Sequence, residues 1–137
     1  MTPRRVDNGL ATFTLVVLVL YAPIETWGSW PDLLSPYYLV DVVAMLILAF
    51  GVYSSGARPR QARGFICAGW AWMAGSGWRA TADRVEALAQ GEELQFGAAE
   101  LCFVVCSFLL ALAGLAWSLV LITRDSHGET PPEAMQA

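Results

Sequence analysis

Two carboxylates, Glu25 and Asp41, lie inside apolar segments that flank one short turn. A charged group within a membrane-spanning segment is costly, so such a residue is by default a candidate functional group whose partner has to be found. Arg79, near the end of the third apolar segment, is the candidate partner. Two carboxyl groups at one place could bind a cation, or could act as a general acid and a general base.

A third acid, Glu100, stands at the start of the fourth apolar segment. A helical rise of 1.5 Å per residue places Glu25, Asp41, Arg79 and Glu100 within roughly the outermost 3–8 Å of the apolar slab. One arginine can neutralise one acid, which leaves up to two acids without a cation. An acid without a paired cation in an apolar segment is the kind of group that a proton-coupled carrier or a general acid requires.

Helical steps of three and four residues place each of these charges on a face of small or hydroxyl side chains, as the interior of a bundle requires. Tyr21 shares a face with Glu25, and Trp72 shares one with Arg79. The residue types therefore predict a polar pocket, for which Glu25 and Asp41 are the candidate catalytic groups. The predicted ligand-binding residues are Glu25, Asp41, Arg79, Glu100, Trp72 and Tyr21.

A purely structural interpretation of the same residues stays open. Glu25 or Asp41 could pair with Arg79 and hold three helices together, while Glu100 reaches water at the end of its helix. In that case the charges stabilise the fold and bind nothing.

The composition indicates which elements position these groups. The chain has 137 residues, of which 56% are hydrophobic, whereas soluble domains average about 45–50%. The apolar residues fall into four blocks, each about as long as the roughly 20 residues that cross a bilayer. We therefore predict an all-α integral membrane protein, a four-transmembrane-helix up-and-down bundle with spans at about 10–30, 37–55, 64–82 and 98–123. Residues 1–9 form an N-terminal segment, and residues 124–137 form a disordered tail.

Local signals agree with these boundaries. Ser35 followed by Pro36 is typical of a helix start, and Gly91 is expected to end an amphipathic extension of the third helix. The first apolar run, residues 10–22, also has the length of a signal-peptide core. Its continuation to Trp30 favours a membrane span instead.

The arginines predict the orientation. Six of the eight fall on the side of both termini and of the 56–63 loop, so the positive-inside rule places the N and C termini in the cytoplasm. All eight basic residues are arginine, which we interpret as the codon bias of a GC-rich genome. The expected location is a cell membrane, crossed several times, of the bacterial inner-membrane type.

The sequence lacks the residue patterns of nucleic-acid binding, metal binding and cofactor binding. No basic stripe with interleaved aromatic residues is present, so no nucleic-acid partner is expected. Cys67, Cys102 and Cys106 lie in apolar segments, where cysteine behaves as a small hydrophobe. The one histidine, His127, is in the tail, and no nucleotide-binding motif occurs, so no metal site and no cofactor are expected.

Three functions fit these residues. The first is a carrier or sensor that binds an amphipathic or cationic small molecule, or an ion, in the outer-leaflet pocket. The second is a small membrane enzyme, such as an isomerase, that uses Glu25 and Asp41 on a lipid-soluble substrate. The third is an accessory subunit whose third helix, rich in small residues, docks onto a larger membrane complex. Membrane lipid is an expected partner in each case, and homo-oligomerisation or a larger partner is expected because four spans enclose little space.

The arrangement of four short spans with acids near one end resembles the sterol-isomerase and sigma-2-receptor type of membrane bundle. In those proteins, intramembrane carboxylates meet a cationic species. The resemblance concerns architecture alone and matches no motif, so no residue role is transferred from it.

Overall fold

The computed structural model describes residues 3–30, 32–94 and 97–128, and the prediction of an all-α protein is confirmed for them. Helix α1 spans Pro3–Gly28, α2 spans Pro36–Ser54, α3 spans Pro59–Ala89 and α4 spans Ala98–Gly128. Helix α4 therefore includes the first five residues of the predicted tail, and residues 129–137 of that tail lie outside the described residues.

Three of the helices are long and apolar enough to cross a membrane. The qualifying stretches are Asn8–Gly28, Pro36–Ser54 and Ala98–Asp125, which supports a membrane location. Helix α3 does not reach the same hydropathy, because Arg79, Asp83 and Arg84 interrupt it and glycine and alanine fill much of the rest. The predicted apolar span 64–82 and its amphipathic extension form one continuous helix in α3.

The ends of α2 and α3 follow from local chemistry. The Ser35 hydroxyl accepts a hydrogen bond of 3.2 Å from the backbone N–H of Tyr38, and Pro36 occupies the first turn. At the end of α3, Gly91 has a φ of +80°, a backbone conformation that favours glycine. The N–H groups of Gly91 and Glu92 bond to the carbonyls of Leu88 and Ala87, which satisfies the end of the helix.

Consecutive helices run antiparallel. Thr26, near the end of α1, contacts Tyr38, near the start of α2, across 3.0 Å. The start of α3 meets the end of α4 through an ion pair between Arg63 and Asp125. The α1–α2 and α3–α4 connections therefore lie at one end of the molecule, which we call the two-loop end. The start of α1, the end of α4 and the α2–α3 connection lie at the other, which we call the termini end.

The interior lies around α3, which packs against both α2 and α4. Glycines allow close approach there: a Cβ at Gly69 would lie 2.5 Å from the Leu48 side chain, and one at Gly114 would overlap the indole of Trp70. Trp70 is fully buried and contacts the ring of Phe13 at a centroid distance of 5.6 Å. Helix α1 covers this interior from the side opposite the outer face of α3.

Candidate functional site

The structure brings Glu25 of α1 and Asp41 of α2 together near the two-loop end. The Asp41 carboxyl lies close to the side chain of Glu25 and to the hydroxyl of Ser76 on α3. The Ser76 hydroxyl donates its hydrogen bond, of 3.2 Å, to the carbonyl of Met73. The hydroxyl of Tyr21 lies close to Glu25 and interacts with its carboxyl group. Three helices thus contribute to one polar cluster, and we call Glu25 and Asp41 the acid pair.

Within α1, one side-chain contact reaches Glu25, in a stretch of the helix that a proline interrupts. Pro23 lies inside the helix two residues before Glu25 and removes one backbone N–H donor. The hydroxyl of Thr26 donates to the carbonyl of Ala22 at 2.7 Å, and the hydroxyl of Ser29 lies 3.4 Å from Oε1 of Glu25. Glu25 and Asp41 are both half-buried, so a soluble or lipid-borne ligand could reach them.

Arg79, the predicted partner of the acids, makes its contacts elsewhere. Its guanidinium lies 5.1 Å from the ring centroid of Tyr37, its Nη2 donates to the Tyr37 hydroxyl at 3.3 Å, and its Nε lies 3.9 Å from Asp83. Its side chain is 65% exposed. Tyr37 precedes Asp41 by one turn of α2, and Arg79 follows Ser76 by one turn of α3. Arg79 therefore lies about one helical turn closer to the two-loop end than the acid pair.

The other predicted site residues are spread over the molecule. Glu100 forms an ion pair of 3.0 Å with Arg84, in which the Glu100 side chain is mostly buried. Trp72 is 45% exposed on the outside of α3, whereas Trp70 points into the interior. Of the six predicted ligand-binding residues, the structure brings together three: Tyr21, Glu25 and Asp41.

Among the described side chains, no arginine forms an ion pair with either member of the acid pair. The Ser29 hydroxyl donates to Glu25, and the two carboxyl groups lie close to each other and to the hydroxyls of Tyr21 and Ser76. This cluster can bind a cation through four carboxyl oxygens, or it can share protons between its members. The same two groups could also exchange a proton with a substrate.

An apolar crevice of about 100 Å³ opens beside the acid pair, between α1, α3 and α4. Its lining residues are Val17, Leu20, Tyr21, Ile24, Trp70, Met73, Phe103, Ser107 and Leu110. Tyr21 belongs to both features, because its ring stacks on Phe103 at a centroid distance of 6.0 Å while its hydroxyl lies close to Glu25. Sequence reasoning missed the crevice; its one signal was Ser107, which shares a helix face with Glu100.

Metal ligation has little support in this cluster. Over the part of the chain that the structure describes, no group of three or more histidine, cysteine, aspartate or glutamate side chains could hold a metal ion. The acid pair supplies two such residues, so a cation bound there would take its remaining contacts from hydroxyl groups, from water or from its own substituents.

Comparisons with known proteins give no further assignment. No protein family model, no curated protein and no solved structure matches this chain.

Proposed function

We propose that this chain crosses the membrane four times and binds a cationic, amphipathic small molecule or an ion at the acid pair, as a carrier or sensor. The observation that carries the proposal is the proximity of two half-buried carboxyl groups, those of Glu25 and Asp41, without an arginine on the described residues paired to either. Two carboxylates at one half-buried position repel each other. A bound cation relieves that repulsion, so the pair has a physical reason to bind one.

The four-span topology is supported by the antiparallel order of the helices. Helix α2 ends at the termini end, and α4 begins at the two-loop end. If α2 and α4 both cross the membrane, the chain must return between them, and α3 makes this connection. Its 31 residues give a length of about 46 Å, which exceeds the roughly 30 Å of a bilayer core. Helices α2 and α4 both pack along α3 and cover part of its less apolar surface.

The proposed orientation rests on charge. The termini end carries Arg58, Arg60, Arg63 and Arg124, and the two-loop end carries Asp32, Glu92 and Glu93. The positive-inside rule then places the termini in the cytoplasm and the acid pair in the outer leaflet. A cation would reach the pair from the outer side or from the outer half of the bilayer.

The proposal is tested by native mass spectrometry of the purified protein and its Asp41→Asn variant. We expect a discrete bound mass on the wild-type protein that is lost from Asp41→Asn. Asp83→Asn is the matched control, because Asp83 is an exposed acid on α3 that contacts Arg79. A protein that carries no ligand in all three cases, with unchanged folding, would contradict the proposal. If Asp41→Asn retains the ligand but no longer converts it to a product of different mass, the result would point to the enzyme instead.

A second candidate function, the accessory subunit, is favoured by one feature of α3. Eight exposed residues follow one another at alternating steps of four and three, the spacing of a helix–helix seam. They are Gly64, Ala68, Ala71, Gly75, Trp78, Ala82, Val85 and Ala89. Most are small, which allows a second helix to approach closely in lipid, and nothing lies within 4 Å of a Cβ built at Gly64 or Gly75.

Two identical substitutions test this second function. Ala71→Leu places a large side chain in the seam, whereas Ala49→Leu places the same side chain on the exposed surface of α2. If the seam docks a partner, Ala71→Leu should lower the mass of the complex recovered from membranes, and Ala49→Leu should leave it unchanged. An equal mass for both variants and the wild type would exclude the seam as a docking surface.

A further inference from the structure

The crevice and the acid pair are adjacent parts of one surface. Ile24 lines the crevice and is followed directly by Glu25, and Tyr21 precedes Glu25 by one turn of α1. The Tyr21 ring forms a wall of the crevice, and its hydroxyl lies close to the acid pair. A molecule with its charge at Glu25 and Asp41 would therefore have its neighbouring atoms at the mouth of the crevice.

We infer that the crevice receives a single unbranched alkyl chain whose ammonium group lies at the acid pair. This inference rests on the proposed function and names the chemical class of its ligand, a primary alkylammonium ion. The charges are complementary, because two carboxyl groups stand at one end of an otherwise apolar groove and no arginine on the described residues is paired with them. Ammonium also matches the cluster as a donor, since it offers three N–H groups to carboxyl and hydroxyl oxygens.

The size of the crevice selects a chain over a ring. A cavity of about 150 Å³ is known to bind benzene, and this crevice has about 100 Å³. A chain of a few methylene groups is narrower than an aromatic ring and can lie along the groove between α1 and α4. Leu20 and Leu110 on the rim are 62% and 43% exposed, so the groove opens on the outside of the helices. In the proposed topology that opening faces the bilayer.

Chain length is the first variable to test. Isothermal titration calorimetry of the protein in nanodiscs of zwitterionic lipid should compare methylammonium, ethylammonium, propylammonium and butylammonium. Each methylene that leaves water for the crevice should raise the affinity about fourfold. An affinity that does not change along the series overturns the inference, and binding of methylammonium that is lost in Asp41→Asn would show that the cation site itself still stands.

Two tryptophan substitutions separate the crevice from partition into the bilayer. Leu110→Trp fills the crevice, and the neighbouring Leu109→Trp adds the same side chain at a position that is 56% exposed and outside the crevice. Relative to Leu109→Trp, we expect Leu110→Trp to weaken butylammonium binding at least tenfold and to leave methylammonium binding unchanged. Equal affinities of the two variants for butylammonium overturn the inference. If Leu110→Trp does not fold, Ser107→Leu fills the same crevice. It should likewise weaken butylammonium binding relative to Leu109→Trp and leave methylammonium binding unchanged.

Butanol distinguishes failure of the proposed function from failure of the inference. It has the chain of butylammonium without the charge, so it should bind the wild-type protein at least tenfold more weakly. Equal binding of butanol and butylammonium, unaffected by Asp41→Asn, would mean that the crevice takes a chain but the acid pair binds no cation. That result overturns both the inferred alkylammonium ligand and the proposed function.

Discussion

The indole Nε1 of Trp70 donates a hydrogen bond of 3.1 Å to the hydroxyl of Thr14, and both residues are 0% exposed. This bond joins α1 to α3 in the interior, below the crevice that Trp70 also lines. A buried indole N–H without an acceptor is costly, because a fully buried site gives it no access to solvent as a replacement. The Thr14 hydroxyl therefore fixes both the rotation of α1 and the floor of the crevice.

Replacing Thr14 by valine should destabilise the protein. Valine has nearly the same shape but no acceptor, so the indole N–H loses its partner at a cost of about 1–2 kcal/mol. The measurement is thermal or denaturant unfolding in detergent, with Thr14→Ser as the control that keeps the hydroxyl. Equal stability of Thr14→Val and the wild type would mean that the bond contributes nothing.

Gly114→Ala should also destabilise the protein, through crowding. A Cβ at this position would overlap the Trp70 ring and lie 2.8 Å from its Nε1, so α4 would have to move away from α3. Overpacking of this kind costs about 1–3 kcal/mol. Gly75→Ala is the matched control, because nothing lies within 4 Å of its Cβ and alanine favours a helix by about 1 kcal/mol over glycine. A loss of stability in Gly75→Ala as large as in Gly114→Ala would contradict this explanation.

The sequence predicts the positions of the helices well because their signals are local. Apolar blocks of spanning length, Ser35 before Pro36, and Gly91 after an amphipathic run each depend on a few neighbouring residues. The meeting of Glu25 and Asp41 could also be predicted, because a short turn brings the end of α1 next to the start of α2.

The partner of Arg79 could not be predicted, because it depends on helix rotation. Tyr37 and Asp83 offer Arg79 a cation–π contact and an ion pair at the exposed surface, where the guanidinium keeps its water. Pairing with Asp41 would require partial burial of the charge. The sequence places Arg79 and Asp41 at similar depths in the apolar slab, and depth alone does not decide whether Arg79 pairs with Asp41 or with Asp83.

The inward and outward faces of α3, and the crevice, could not be predicted from the sequence for a different reason. Glycine and alanine occur all around α3, so no amphipathic pattern indicates that Trp70 points inward and Trp72 outward. The crevice results from incomplete packing of α1 against α3 and α4. Such a gap depends on the shapes of several helices together, and no spacing of residues in one helix predicts it.

Arg79 should oppose cation binding, since its charge lies about one helical turn from Asp41. Arg79→Gln removes that repulsion and should raise the affinity for methylammonium two- to fivefold at low ionic strength. The gain should shrink toward 1 M salt, because the guanidinium is exposed and its field is screened there. The measurement is calorimetric titration of the wild-type protein and the variant at two salt concentrations.

Arg84→Gln is the control for this prediction. Arg84 has the same charge on the same helix, but it is paired with Glu100 at 3.0 Å, so its removal should change the affinity less. A lower affinity in Arg79→Gln would mean instead that Arg79 helps to form the site, as it would if Tyr37 needed the guanidinium to hold its position.

The orientation can be measured by labelling in intact cells. In a background with Cys67, Cys102 and Cys106 replaced by serine, Glu92→Cys in the α3–α4 connection should react with a membrane-impermeant thiol reagent added outside. Ala57→Cys in the α2–α3 connection should react only after the membrane is opened, because the arginines at that end favour the cytoplasm. Both positions are exposed, so access to the side chain is the same for each. Labelling of Ala57→Cys alone from outside would mean that the topology is reversed and that the acid pair lies in the inner leaflet. Labelling of both variants from outside would exclude α3 as a membrane span.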